Sequence, residues 1–156
     1  MAEPDITKLP VITCWPKDGG PFVTLPIIHT KDPLTNNRNV GMYRMQVYGP
    51  TLTGMHWHKH KVSAKHFNEY KKLNKRMPVA VALGGDPVYA YSATAPLPEN
   101  VDEYMLAGFL RKNGLDVATA VDGKDGLAKD QDAIMSRLER SKAQATCAPK
   151  MNPERD

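Results

Sequence analysis

Asn39-Val-Gly-Met-Tyr-Arg-Met-Gln-Val-Tyr48 is the stretch that decides the fold. Val, Met and Tyr recur through it at near-alternate positions and Gly49-Pro50 closes it, so it predicts a half-buried strand. Thr51–His58 follows directly as the hairpin partner. Upstream, the first 38 residues are rich in Pro, Gly and Asn. They hold two short β-type runs, Val11–Cys14 and Phe22–His29, with Asp18-Gly-Gly-Pro21 and Lys31–Arg38 as turns.

Downstream, Phe67, Tyr70 and Leu73 fall about three apart within Ser63–Lys75, which predicts a helix ended by Pro78. Val79–Leu83 is a continuous apolar run of the kind that forms a buried strand. Gly84-Gly-Asp-Pro87 reads as a turn and Val88–Ala95 as a second strand. Asn100 opens a helix, Val101–Arg111, with Glu103 three residues inside it. The order is β-rich, helix, β, β, helix, an α+β domain built as a barrel-like sheet with helices outside. After Arg111 the composition changes. Residues 112–156 balance basic and acidic groups, with one amphipathic candidate helix at Leu127–Ala143 and a loose polar end at Ala145–Asp156. The expected division is 1–111 and 112–156.

Charge is unevenly placed along the 156 residues. Between His56 and Arg76 seven Lys or Arg stand against the single Glu69, and four of the five histidines lie there. A local basic, His-rich stretch points to an anionic ligand. No run of about 18 apolar residues occurs. The N-terminus lacks the basic and then apolar blocks of a signal peptide, so the expected location is the cytoplasm. Cys14 and Cys147 have no partner motif, which argues against a disulfide framework or a Cys-based zinc site.

The densest polar cluster is Met55-His-Trp-His-Lys-His-Lys61. On a strand, His56 and His58 share a face with His60 close behind. Alternate imidazoles can bind a divalent metal and the lysines a phosphate; a solvated basic strand end is the plain alternative. Trp57, pointing the other way, is a core candidate. Arg44 has a planar fork for a carboxylate or phosphate, or else makes a surface ion pair. Gly41 permits close backbone approach or a bulge. Asn100 with Glu103 resembles a capping box, and a metal-bound carboxylate is the other fate of Glu103. Gly84-Gly-Asp-Pro87 lacks the spacing of a phosphate loop, and no helix is expected after it. The helix residues Lys71, Lys72, Lys75 and Arg76 could meet nucleic-acid phosphates, but no base-reading motif accompanies them.

Taken in series, Asn39–Val47, Thr53–Lys61, Pro78–Pro87, Ala95–Pro98 and Asp102–Arg111 resemble the UbiD family, reversible decarboxylases of aromatic and unsaturated acids that use prenylated FMN. The resemblance runs collinearly over about residues 8–111 and implies a split β-barrel related to flavin reductases, with flanking helices. It also implies that Asn39, His60 and Glu103 hold a metal, usually manganese, bridging to the cofactor phosphate. Met42, Tyr43 and Arg44, then His56, Trp57 and His58, then Lys61 and Val62 match cofactor-contacting segments. Family members often carry Gly where Val62 stands. Arg44 matches the arginine that holds the substrate carboxylate, so it is the expected catalytic residue. The modified flavin is the expected electron sink.

The family's segment carrying the proton-donor glutamate, and its C-terminal oligomerisation domain, have no match in this sequence. Lys112–Ala128 instead resembles part of a response-regulator receiver domain, without the strand bearing the phosphorylatable aspartate. Two expectations follow. The chain is a decarboxylase, or a subunit of one, with the acid supplied by a partner subunit; a homo-oligomer is the other assembly expected. Otherwise it is a flavin- and metal-binding module without turnover. A basic nucleic-acid-binding domain ranks third.

Overall fold

The computed structural model describes residues 5–98 and 101–112, with the short segments 117–119 and 126–128. After a 3-10 turn at Ile6–Lys8 come strands β1 (Phe22–Val23), β2 (Ile27–Lys31), β3 (Arg38–Met42), β4 (Met45–Gly49) and β5 (Leu52–Met55). Helix α1 (Val62–Lys72), strand β6 (Ala80–Ala82) and helices α2 (Pro87–Thr94) and α3 (Glu103–Arg111) follow, then β7 (Val117–Thr119) and β8 (Gly126–Ala128). The strands form antiparallel sheets in the orders β1-β4-β5, β3-β2-β6 and β7-β8.

Strand β2 explains how the core is organised. Ile27 and Ile28 point to opposite faces and both are buried. Ile27 packs with Val40, Ala80, Ala82, Tyr89, Tyr104 and Ala107, the layer covered by α2 and α3. Ile28 packs with Tyr43 and Met45 on the other face. A strand covered on both sides needs apolar residues in succession, which is what Ile27-Ile28 and the Ala80–Ala82 segment of β6 supply.

The expected single strand over residues 39–48 is two strands in two sheets. The chain leaves the β2 sheet after Met42 and enters the β1 sheet at Met45. Tyr43 makes this crossing tight. Its ring folds back over Gly41, where an added Cβ would lie 2.5 Å from the Tyr43 ring. Gly41 is therefore explained by ring packing. Gly41→Ala is expected to destabilise the fold by about 1–3 kcal/mol, as overpacking does, read as a lowered urea midpoint at unchanged slope. The β4–β5 hairpin matches the sequence expectation, although β5 ends at Met55, before the histidines. Phe22–His29 is likewise divided, between β1 and β2.

Three other expectations are corrected. Val88–Ala95 is helical: Asp86 caps α2 by accepting from Val88 N–H at 2.9 Å, and Pro87 occupies its first turn. So a helix does follow Gly84-Gly85, which take φ of +84° and +93°. Helix α1 ends near Asn74, whose φ of 51° is left-handed, before Pro78 is reached. Its buried positions are Ser63, Ala64 and His66, while Leu73 is exposed. Helix α3 begins at Glu103 and not at Val101, with Asp102 as its cap, accepting from Tyr104 N–H at 2.8 Å. Asn100 lies outside the described residues, as does most of the expected helix over residues 127–143, whose first residues Leu127 and Ala128 belong to β8.

Candidate functional site

Among the described residues strand β3 lies at the edge of its sheet, so its outward N–H groups have no strand partner there. Glu103, from the first turn of α3, takes one of them: Val40 N–H donates to Glu103 Oε2 at 3.0 Å. The carboxylate therefore reaches the backbone next to Asn39. Burial raises the Glu103 pKa, while the N–H groups of Val40 and of Glu103 itself, and more weakly the Arg38 guanidinium, draw it back. A half-buried carboxylate in that balance favours a nearby cation. Arg38 is engaged with Asp102, whose Oδ2 accepts from Arg38 Nε at 3.0 Å.

Asn39 is buried, and its side chain turns to the α1 side of the sheet. Its Nδ2 donates to Ser63 Oγ at 3.2 Å and to Thr30 Oγ1 at 3.5 Å, and the Oδ1 carbonyl takes no part in either bond. Amide and carboxylate oxygens are donors suited to hard divalent ions such as manganese or magnesium. Glu103 thus bonds the peptide N–H that follows Asn39, while the Asn39 side chain bonds Ser63 and Thr30. His60 stands exposed on the turn before α1, and no three His, Cys, Asp or Glu side chains gather among the described residues.

The start of α1 is the second element. Lys61, at the cap position, makes no side-chain cap bond, and the first turn carries no acid. The first N–H groups and the positive end of the helix dipole thus stand beside an exposed lysine, an arrangement that favours a phosphate. Ser63, in the same turn, is the residue bonded to Asn39. The anion-favouring end and the amide are therefore adjacent. Val62 is the first helical residue and half-buried.

The third element is the outer sheet. Tyr43 meets Trp57 edge to face at 6.2 Å, and Trp57 meets Phe67 at 6.1 Å. Trp57 thus belongs to an aromatic cluster, as expected of a core candidate, although it is only half-buried. Met42 is half-buried at the end of β3, and His58 is exposed. The Arg44 guanidinium stacks over Phe22 at 4.3 Å and pairs with Asp18 at 3.6 Å. His56 lies 4.9 Å from Phe22, edge to face, and 3.3 Å from Gln46 Oε1. Burial lowers the His56 pKa, and the Arg44 charge lowers it further.

Sequence reasoning passes over Asp18, Thr30, Ser63 and His66. Asp18 is legible only as a turn residue. Thr30 and Asn39 are direct cross-strand neighbours, which only the register reveals.

The α+β domain sets amide, hydroxyl and carboxylate groups and the first N–H groups of α1 along strand β3. Comparison with known proteins gives the lineage. Residues 1–133 match the family model described as "3-octaprenyl-4-hydroxybenzoate carboxy-lyase Rift-related domain", UbiD. The chain belongs to the UbiD family. An uncharacterized protein of Archaeoglobus fulgidus is 51% identical over 113 residues, 72% of this chain and 24% of the relative. A Chlamydia pneumoniae protein, named as one subunit of a 4-hydroxybenzoate decarboxylase, is 40% identical over 111 residues, 71% of this chain and 19% of the relative.

Among solved structures, an evolved dimeric form of the UbiD-class enzyme HmfF from Pelotomaculum thermopropionicum, in complex with prFMN, is similar with a TM-score of 0.75. Its identity is 26%, covering 80% of this chain and 29% of that one. The closed form of Sedimentibacter hydroxybenzoicus vanillic acid decarboxylase gives a TM-score of 0.70 at 26% identity, covering 74% and 25%. The chain thus spans about a quarter of the length of these relatives. The family match runs through residue 133 and so takes in the stretch Lys112–Ala128. Among the described residues no helix is long and apolar enough to cross a membrane.

Proposed function

We propose that this chain is the cofactor-holding part of a UbiD-type carboxy-lyase acting on aromatic or unsaturated carboxylic acids, with prenylated FMN and manganese as its cofactors. The observation that supports this is that Glu103 bonds the peptide N–H following Asn39, while the Asn39 amide bonds Ser63 at the uncapped start of α1. In this reading the β1-β4-β5 and β3-β2-β6 sheets are the halves of a split barrel, linked where β1 runs into β2 and β3 into β4.

The donor chemistry fits the group. Asn39 Oδ1, Glu103 and His60 would hold the divalent ion, and Lys61 with the first N–H groups of α1, at Val62, would take the phosphate. Metal and lysine together neutralise a dianion, which allows a flavin to be buried. Met42, Tyr43, His56, Trp57 and His58 would line the ring. Arg44, held by Asp18 and Phe22, orients the substrate carboxylate as a planar fork does. When bound, prenylated FMN supplies the electron sink for loss of CO₂.

Reconstitution tests this. Prenylated FMN and Mn²⁺ are added, the flavin spectrum is recorded, and CO₂ release from hydroxybenzoate- and cinnamate-type acids is assayed. Metal-dependent binding is expected. Arg44→Ala is expected to retain the cofactor while losing the spectral response to added acid. Little CO₂ release is expected from these 156 residues alone, the proton donor coming from a partner subunit. Robust release by the isolated chain would overturn that division of labour.

A further inference from the structure

We infer that Thr30, Ser63 and His66 form a positioning network that fixes which way the Asn39 amide faces, and so sets the affinity of the metal site; this rests on the proposed function. The four side chains come from β2, β3 and α1. Thr30 and Ser63 are fully buried, and Asn39 and His66 are 7% exposed. Thr30 sits opposite Asn39 in the β2–β3 register, so the two share one face of the sheet, and α1 packs Ser63 and His66 onto that face.

An amide has two ends, and two hydroxyls beside it do not by themselves choose between them. Each hydroxyl can accept from Nδ2 or donate to Oδ1. His66 makes the choice in the tautomer whose Nδ1 accepts from Thr30. Its Nδ1 lies 3.1 Å from Thr30 Oγ1, and Thr30 Oγ1 lies 3.3 Å from Ser63 Oγ. With Nδ1 as the acceptor, the Thr30 hydroxyl proton is committed to His66. The Thr30 oxygen can then only accept, and the Asn39 end facing it must be the NH₂. The carbonyl is thereby turned away from the network, free to ligate. A flipped amide would present N–H donors to a cation.

Thr30→Val keeps the shape of the side chain and removes the hydroxyl, so Asn39 loses the partner that orients it. The measurement is Mn²⁺ affinity of the full chain with saturating FMN, from the electron paramagnetic resonance signal of free Mn²⁺. Wild type, Thr30→Val, Thr30→Ser and Asn39→Ala are compared, and far-UV circular dichroism and thermal melts confirm that each is folded. Thr30→Val is expected to weaken Mn²⁺ binding about 10–100-fold, the usual cost of losing an outer-sphere partner, and Thr30→Ser to restore it. Ser63→Ala is a second route to the same effect, should Thr30→Val not fold. If Asn39→Ala abolishes binding while Thr30→Val and Ser63→Ala bind as wild type does, the positioning role is wrong and the metal site stands. If Asn39→Ala binds normally, or wild type takes up no Mn²⁺, the metal site fails and the network role with it.

Discussion

Glu103→Gln is expected to fold like the wild type and to lose Mn²⁺-dependent flavin binding. The reason is in the geometry. The amide oxygen of Gln can still accept from Val40 N–H, which in the wild type donates to Oε2 at 3.0 Å. The edge of β3 therefore keeps its partner. What disappears is the negative charge that a divalent ion needs, and a neutral amide is a poor replacement in a half-buried site. The expected loss in Mn²⁺ affinity exceeds about a hundredfold, beyond the range of outer-sphere changes. Glu103→Ala is expected to lose the metal equally and also to leave Val40 N–H unpartnered, so its melting temperature falls where that of Glu103→Gln does not. Equal Mn²⁺ binding in wild type and Glu103→Gln would remove Glu103 from the metal site.

The second large effect is on stability. His29 is fully buried in β2, with its Nε2 2.6 Å from Tyr104 Oη. Burial, with the Arg38 charge adding to it, lowers the His29 pKa from 6.5 to about 4. Between those values the unfolded chain binds the proton and the folded chain does not. Stability is therefore complete above pH 6.5 and is lost as the pH falls toward 4. A shift of that size corresponds to about 3 kcal/mol. Burial also lowers the pKa of His56 and His66, which act in the same direction. Urea unfolding at neutral pH and near pH 4 isolates the His29 share when compared with His29→Gln. The variant is expected to be weaker at neutral pH but flatter in its pH dependence by one proton. An unchanged slope would show that His29 is not the group responsible.

How much of this is legible in the sequence depends on where each determinant sits. The Val79–Leu83 run and the β4–β5 hairpin are readable because their signals are local: an apolar run, and a Gly49-Pro50 turn between alternating segments. Helix α2 is hidden because Val, Tyr and Thr in Val88–Ala95 favour strands. The Asp86-Pro87 cap that overrides them carries the same residues as a turn. The break between β3 and β4 is not legible, since it depends on one ring lying over one glycine. Spacing alone leaves Glu103 as a capping residue; the family motifs point it to the site, and its carboxylate meets Val40, 63 positions earlier. Thr30, Ser63 and His66 look ordinary in the sequence. Their role exists only in the contact between β2, β3 and α1.

The claim at the centre is that this chain holds a flavin phosphate through a divalent metal. Flavin fluorescence during titration of prenylated FMN into the protein, first with Mn²⁺, then with EDTA, then with Mn²⁺ restored, tests it directly. Binding that appears with the metal, vanishes with EDTA and returns with Mn²⁺ is the predicted result. Flavin binding indifferent to EDTA, or none at all in the presence of Mn²⁺, would contradict it.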